Sequence, residues 1–191
     1  MTWSLRQPLV IAAIAASLTA PVAVADEQAN KALFKAAEAG NTEGIKQAVE
    51  DDADLSAHNN KGRTALMIAA READLATVEA LIKAGADVNT TSTVSDDTAV
   101  MAAARRGDAD IMRAMFEAGA RADGRDQNGR TPLMVAAKGG HHEIMKILVD
   151  HGAATQTKDR FGWGVADYAK MGGKKTVKHL ENLASGGNSQ S

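Results

Sequence analysis

The stretch that decides the fold is residues 128–153, which read NGRTPLMVAAKGGHHEIMKILVDHGA. Thr131 and Pro132 favour a helix start, because threonine caps the N–H groups of a first turn and proline suits the first helical position. A short helix is therefore predicted over 133–138, and the glycine pair that follows it predicts a turn.

A second helix is predicted over 142–150, where apolar residues recur at helical spacing: Ile144, Met145, Leu148 and Val149. Gly152 follows at a place where helices commonly end in a left-handed residue, a conformation that glycine adopts without steric cost. One such pair of helices cannot bury its apolar face alone, so further copies should stack against it.

The same markers recur along the chain with a period of 33 or 34 residues. Threonine recurs at Thr64, Thr98 and Thr131, and a Gly-Ala pair begins at Gly85, Gly119 and Gly152. Alanine pairs begin at Ala36, Ala69, Ala103 and Ala136. Because three independent markers keep one period, the sequence predicts a solenoid of repeated helix pairs.

These residues resemble the ankyrin repeat. The agreement is close in three segments, 129–133, 140–144 and 85–89, which read GRTPL, GHHEI and GADVN. The resemblance implies an all-α ankyrin-repeat solenoid of about five helix-turn-helix units, joined by β-turn or hairpin fingers. It also implies that the finger tips and the exposed side of each first helix bind another protein.

The resemblance divides the domain, residues 26–183, into five units. Their expected ranges are 30–60, 61–91, 92–125, 126–158 and 159–183, the last being a degenerate C-terminal cap. In this cap the sequence FGWG at 161–164 replaces the usual turn, and Lys170 replaces one of the paired alanines. Residues 184–191 are rich in serine, glycine and asparagine, and we expect them to be disordered.

Two internal departures from the family's pattern concern the contacts between units. The place of a histidine that normally ties neighbouring loops is taken by Met67, Met101, Met134 and Asp167. The resemblance therefore implies weaker ties between units in this chain. The turn at 90–97 is one residue longer than the others and has Asp96 in place of glycine, so we expect it to protrude or to be mobile.

The first 25 residues have the features of a secretory signal peptide. Arg6 precedes an uncharged apolar run at 9–20, Pro21 follows, and the Ala-Val-Ala at 23–25 fits a cleavage site before Asp26. An uncleaved membrane anchor is the alternative, but the run is shorter than the roughly 20 apolar residues that a bilayer requires. We expect export by this signal peptide into a bacterial periplasm, rather than secretion into the medium.

Composition excludes several kinds of site. The chain has no cysteine, which removes thiol nucleophiles, zinc–thiolate sites and disulfides. Its net charge of −2 and pI of about 6.2 are unlike those of nucleic-acid-binding domains. Neither a nucleophile-elbow motif nor a HExxH zinc motif occurs, and the glycines at 171–175 lack a full phosphate-binding loop. We therefore expect no enzyme activity and no cofactor.

Two sets of residues raise the alternative of zinc or copper binding. The His-His-Glu at 141–143, with His151 further on, has the right ligand types, but adjacent helical residues point about 100° apart. The eight methionines suggest copper(I), yet some lie one repeat apart and others lie on the apolar stripes of second helices. Core packing is the favoured interpretation of Met67, Met101, Met112, Met115, Met134 and Met145.

The positions where the family binds partners are mainly basic from the second unit onward, and the last turn is aromatic. The predicted protein-binding residues are Arg63, Arg71, Arg105, Arg106, Arg130, Lys138, Phe161 and Trp163. Acidic residues are expected on the opposite side, at Glu50, Asp51, Asp54 and Glu117. This polarity predicts a partner with an acidic surface. Two alternatives stay open: the arginines only solvate their face, or Trp163 covers the end of the core.

The sequence thus predicts a monomeric, non-catalytic interaction module in the periplasm, with a protein partner, no nucleic-acid partner and no membrane association in the mature form. Similar small exported bacterial ankyrin proteins are associated with periplasmic antioxidant enzymes such as catalases, or act as immunity proteins that block a toxin. The resemblance implies these two roles equally. An effector secreted to a host cell is the alternative, although effectors normally leave through specialised machinery.

Overall fold

The computed structural model describes residues 21–72 and 74–186 of the chain. Ten α-helices account for most of this part, and they form five consecutive pairs. The helices are α1 (Pro21–Ala39), α2 (Thr42–Glu50), α3 (Ala65–Glu72), α4 (Leu75–Lys83), α5 (Ala99–Arg106), α6 (Ala109–Glu117), α7 (Pro132–Gly139), α8 (His142–Asp150), α9 (Val165–Met171) and α10 (Lys174–Gly186). Isolated β-bridges, Thr91 with Thr98 and Lys158 with Gly164, close the bases of two connecting loops.

The helices pack in two layers. The first helix of each pair packs against the first helices before and after it, in the order α1, α3, α5, α7, α9. The second helices form an equivalent series, α2, α4, α6, α8, α10. Repeated alanines such as Ala69 and Ala136 are fully buried in the core, where their small side chains let neighbouring helices approach closely. The predicted all-helical repeat solenoid is confirmed.

The ends of the helices follow the predicted signals. The hydroxyl of Thr131 accepts the N–H of Met134 at 3.4 Å, and Pro132 takes the first helical position of α7. The second helix of this unit, α8, has the predicted bounds. After it, Gly152 has a φ of 86°, and its equivalents Gly85 and Gly119 have φ values of 100° and 85°. The expectation that left-handed glycines end these helices is therefore confirmed.

Two aspartates adopt the backbone conformation that glycine adopts elsewhere. Asp52 follows α2 with a φ of 61°, at the place that Gly152 takes in the fourth unit. Asp96 has a φ of 54° in the long turn between the second and third units. Aspartate tolerates the left-handed region better than most residues, but its β-carbon still makes that region costlier than it is for glycine. The first unit and the long turn therefore carry local backbone strain.

The connecting loops end in fingers, at residues 59–63, 92–97, 126–130 and 159–163. Backbone hydrogen bonds join each finger to the next: Thr93 N–H to the Gly62 carbonyl at 3.0 Å, Gln127 N–H to the Ser95 carbonyl at 3.0 Å, and Arg160 N–H to the Asn128 carbonyl at 2.9 Å. The long finger is thus bound to both of its neighbours, although Val94 projects from it with 65% of its surface exposed. Hydrogen bonds between backbone groups thus connect the units, at places other than the position where the family has its histidine.

The methionines are part of the hydrophobic core. Met101, Met112, Met115, Met134 and Met145 are fully buried, and Met67 is 3% exposed. The predicted core role of these side chains is confirmed. The sulfur of Met134 also accepts the N–H of Thr131 at 3.5 Å, so this side chain closes the start of its own helix.

The two ends of the chain differ in part from the sequence-based expectations. The helix α1 begins at Pro21, so the predicted cleavage site at 23–25 lies within α1 in the full chain, and residues 1–20 of the predicted signal peptide lie outside the described residues. The helix α10 continues through residue 186, so residues 184–186 are helical rather than disordered, and the Ser185 hydroxyl donates to the Glu181 carbonyl. Residues 187–191 lie outside the described part. Among the described helices, none combines the length and apolar character needed to cross a bilayer.

Candidate protein-binding face

Equivalent positions of the units form two rows on the side of the first helices. The helix row, which follows the paired alanines, consists of Glu38, Arg71, Arg105, Lys138 and Met171. The finger row, at the last residue of each finger, consists of Arg63, Asp97, Arg130 and Trp163. We call the surface that contains both rows the inner face. Because successive first helices pack side by side, each row runs from unit to unit along the solenoid.

The second and third units form a groove in the inner face, which we call the basic groove. It has a volume of about 660 Å³, and its cationic lining residues are Lys61, Arg63, Arg71, Arg105 and Arg106. Glu72 and Asp97 are the acidic residues in its wall. The Asp97 carboxylate lies 3.4 Å from the Arg105 guanidinium, which is a long ion pair that leaves much of Arg105 exposed. Positive charge therefore predominates in the groove and attracts anionic groups.

The fourth and fifth units form a second depression, which we call the C-terminal pocket. It has a volume of about 310 Å³ and is lined by Arg130, Lys138, Asp159, Phe161, Trp163, Tyr168 and Met171. The structure thus brings the predicted binding residues together in two sets of four. Arg63, Arg71, Arg105 and Arg106 share the basic groove, and Arg130, Lys138, Phe161 and Trp163 share the C-terminal pocket.

Arg130 is held by a buried carboxylate of its own finger. Its Nε donates to Asp126 Oδ2 at 2.6 Å, and the side chain of Asp126 is 1% exposed. The other oxygen of Asp126 accepts the backbone N–H groups of Asn128 and Arg130, each at 2.9 Å. Arg130 therefore fixes the finger, whereas the exposed Lys138 presents its charge to solvent.

The equivalent acid of the fifth unit, Asp159, has a different partner. One oxygen accepts the backbone N–H groups of Phe161 and Trp163 at 2.9 Å, and the other accepts the Tyr168 hydroxyl at 2.7 Å. Burial opposes ionisation of Asp159, but these hydrogen bonds outweigh it and hold the pKa of Asp159 below its usual value. Burial, and then the neighbouring carboxylate, raise the pKa of Tyr168 to about 12.

Exposed apolar side chains concentrate around the C-terminal pocket. Phe161, Trp163 and Met171 are 72%, 45% and 50% exposed. The Trp163 ring is tilted against that of Tyr168, with the ring centres 6.1 Å apart. Met171 was not selected from the sequence. Its place in the repeat, equivalent to Lys138, is the signal that could have identified it.

The side of the second helices carries both signs of charge. The acidic residues expected on this side, Glu50, Asp51, Asp54 and Glu117, are all exposed. However, three cations form ion pairs there: Lys46 with Glu43, Arg113 with Asp110 and Glu143, and Lys146 with Asp150. The expected acidic surface is therefore a mixed one, and the polarity of the molecule comes mainly from the positive charge of the inner face.

The histidines considered as metal ligands face different units. His141 Nε2 lies 3.3 Å from the Arg105 carbonyl in the third unit, whereas His142 Nε2 lies 3.0 Å from the Thr176 hydroxyl in the fifth unit. In residues 21–72 and 74–186, no group of three or more histidine, aspartate or glutamate side chains is arranged to hold a metal ion. The neighbouring units thus account for the contacts of both rings.

A comparison with protein-family models gave matches over most of the solenoid. The model described as "Ankyrin repeats (3 copies)" matches residues 9–92 and 91–159. These two matches cover well over half of the chain, and the second one ends where the degenerate fifth unit begins. A search of curated proteins gave no match.

Proposed function

This chain belongs to the ankyrin-repeat family, and from that premise we propose that it binds an acidic protein surface on its inner face. Ankyrin repeats are generally non-catalytic modules for protein–protein interaction. The observation that carries the finer proposal is the basic groove, where four arginines and Lys61 surround a volume of about 660 Å³. Packed helices hold the backbone of the three helix-borne arginines in place, which limits the backbone entropy lost on binding.

Arginine suits recognition of acidic surfaces. Its planar guanidinium donates two parallel hydrogen bonds to a carboxylate, and such charge-assisted bonds are stronger than neutral ones. A surface of one predominant charge also steers an oppositely charged partner during encounter, an effect that salt screens. We therefore expect binding to weaken as ionic strength rises.

We also propose that this interaction takes place in the bacterial periplasm. The features of residues 1–25 support export. The resemblance to small exported ankyrin proteins suggests two classes of partner: an antioxidant enzyme such as a catalase, which the chain would support, or a toxin, which it would block. An acidic patch on either partner would match the basic groove.

The binding test replaces Arg105 and Arg106 together with alanine. The full chain is used to capture partners from periplasmic extract, the captured protein is identified, and its affinity is measured with each variant. We expect the double variant to bind at least tenfold more weakly, because arginines are common binding hot spots worth about 2 kcal/mol each.

A matched control removes two positive charges from the other layer. Lys83 in α4 and Lys178 in α10 are exposed on second helices, so Lys83→Ala/Lys178→Ala should bind the partner as tightly as the unchanged chain. Equal loss of affinity in both double variants would show a non-specific charge effect. An arginine variant with unchanged affinity and unchanged salt dependence would contradict the inner-face proposal.

Export has its own test. The mature protein recovered from periplasm should begin at Asp26 when its N-terminus is sequenced. Recovery of the intact chain from the cytosol, starting at Met1, would contradict the proposed location without affecting the proposed binding mode.

A further inference from the structure

The inner face changes its chemistry at its C-terminal end. In the helix row, Met171 occupies the place that Lys138 takes in the fourth unit, and in the finger row, Trp163 occupies the place of Arg130. The fifth unit thus has an apolar side chain in place of a cation in both rows. Phe161 adds a third apolar side chain at the tip of the same finger.

These apolar side chains lie outside the buried core of the fifth unit. The core of the fifth unit consists of Val165, Tyr168, Ala169 and Leu180, with Val177 and Leu183 packed against it. Trp163 contacts this core at the Tyr168 ring, but neither it nor Phe161 nor Met171 is buried in it. All three are instead substantially exposed around one depression. Clustered exposed apolar side chains with a polar rim are typical of interaction sites.

We propose that the C-terminal pocket holds one bulky apolar side chain of the same acidic partner that occupies the basic groove. The proposal rests on the proposed function and adds an apolar anchor to it. Its occupant is an acidic segment that carries a leucine, methionine, phenylalanine or tryptophan. Charge supports this choice, because the exposed Lys138 lines the same pocket and matches an acidic residue beside the anchor. Arg130 is already paired with Asp126.

The geometry of the solenoid sets the spacing of the two features in the partner. The basic groove lies over α3 and α5, and the C-terminal pocket lies over α7 and α9, two helix spacings further on. Packed helices are about 8–10 Å apart, so the two sites are separated by about 16–20 Å. An extended chain advances about 3.3 Å per residue. In an extended partner segment, the anchor should therefore lie about five or six residues from the centre of the acidic cluster.

The first experiment selects binders from a random-peptide library on the full chain. We expect the enriched peptides to share an acidic cluster and a bulky apolar residue at this spacing. Selection on the Trp163→Ala variant should retain the acidic cluster and lose the apolar preference. Selection on Arg105→Ala/Arg106→Ala should weaken the acidic preference.

The second experiment measures coupling between anchor and pocket with two synthetic peptides. One has the acidic cluster and the apolar residue, and the other has alanine in place of the apolar residue. The unchanged chain should bind the first peptide about tenfold or more tightly than the second. The Trp163→Ala variant should bind both peptides equally. Once the Trp163 ring is removed, the apolar residue of the first peptide no longer adds to its affinity.

Two further variants keep the test independent of folding. Phe161→Ser and Met171→Ser leave the contact between Trp163 and Tyr168 intact, and each should reduce the preference for the anchored peptide without lowering the melting temperature. The Lys83→Ala/Lys178→Ala control should keep the full preference.

The outcomes separate the anchor from the proposed function. Equal binding of the two peptides by the unchanged chain would overturn the anchor, as would a preference that survives in Trp163→Ala and Met171→Ser. Failure of both peptides to bind would also overturn the anchored segment. In each case, partner capture that depends on Arg105 and Arg106 would still support the proposed function. Only capture that does not depend on these arginines would overturn that function.

Discussion

The fingers of the fourth and fifth units share the same hydrogen bonds to their backbone but expose different side chains. In both, an aspartate at the first position accepts two backbone N–H groups of its own finger, through Asp126 in one and Asp159 in the other. The second carboxylate oxygen differs in its partner. It accepts from Arg130 in the fourth unit and from the Tyr168 hydroxyl in the fifth.

This difference shows how the repeat exchanges a cation for an aromatic ring. A buried carboxylate that loses its partner is costly, so replacing the finger arginine alone would destabilise the finger. In the fifth unit Tyr168 stands at the place of Val135 and donates the missing hydrogen bond. Trp163 therefore does not have to stabilise its finger as Arg130 does, and its ring can lie exposed on the inner face.

The largest expected effect follows from removing these carboxylates. Asp126→Ala leaves two backbone N–H groups and the Arg130 guanidinium without their acceptor in the middle of the solenoid. We expect a loss of about 2–4 kcal/mol in the free energy of unfolding, measured by chemical denaturation. Asp159→Ala removes the equivalent hydrogen-bond acceptor from the terminal unit. Only one neighbouring unit packs against that unit, so the decrease in the free energy of unfolding should be smaller.

An equal loss for the two alanine variants would contradict this ranking. It would mean that the fifth unit supports the solenoid as strongly as an internal unit does. Asp126→Asn keeps an acceptor for the backbone N–H groups while removing the charge. It should therefore fall between the unchanged chain and Asp126→Ala.

The ends of the second helices provide a smaller effect. Gly152 ends α8 with a φ of 86°, whereas its equivalent in the fifth unit, Ser185, still lies within α10. A β-carbon at Gly152 would meet no atom within 4 Å, so the cost of Gly152→Val comes from the backbone conformation. We expect a loss of about 1–2 kcal/mol.

Ser185→Val is the matched control for this substitution. An exposed helical position tolerates valine, and we expect a change within about 0.5 kcal/mol. Both variants are measured by the same denaturation assay. A Gly152→Val variant as stable as the unchanged chain would mean that this helix end can change its conformation at no cost.

Most of the fold could be predicted because its signals are local and repeated. Thr131 specifies a helix start through its side-chain hydroxyl and Pro132 through its fixed φ, and Gly152 specifies a helix end through its φ. The contacts of the fifth unit could not be predicted in this way. That Tyr168 replaces Arg130 as the partner of a buried carboxylate depends on side chains meeting in three dimensions.

The candidate site was predictable to the extent that it follows the repeat. Arg71, Arg105 and Lys138 lie at equivalent places, and the structure brings their neighbourhoods onto one face. Met171 was missed because the degenerate unit hides its equivalence to Lys138. The mixed charge of the opposite side was missed because ion pairs such as Lys146 with Asp150 neutralise acidic residues there.

The last prediction distinguishes the fingers of the fourth and fifth units by their response to pH. Burial and Asp159 raise the pKa of Tyr168 to about 12, above the usual value near 10. The folded state therefore holds this proton more tightly than the unfolded state does. The stability that the pair contributes is complete below pH 10 and is lost as pH rises towards 12. Burial opposes the charge of Arg130, but its hydrogen bond to Asp126 raises the pKa of Arg130 above its usual value. Arg130 therefore stays charged over this range, and the fifth unit should loosen before the fourth.

The chain has a single tyrosine, so absorbance of the phenolate reports Tyr168 alone. In the folded protein we expect its midpoint near pH 12. A change in tryptophan fluorescence should accompany it, because the Trp163 ring contacts Tyr168, and Trp3→Phe removes the signal of the second tryptophan. Asp159→Asn should lower the midpoint towards 10 without reaching it, since burial is the larger cause of the shift. A midpoint near 10 in the folded, unchanged chain would mean that Tyr168 does not stabilise the buried carboxylate of Asp159 as Arg130 stabilises that of Asp126.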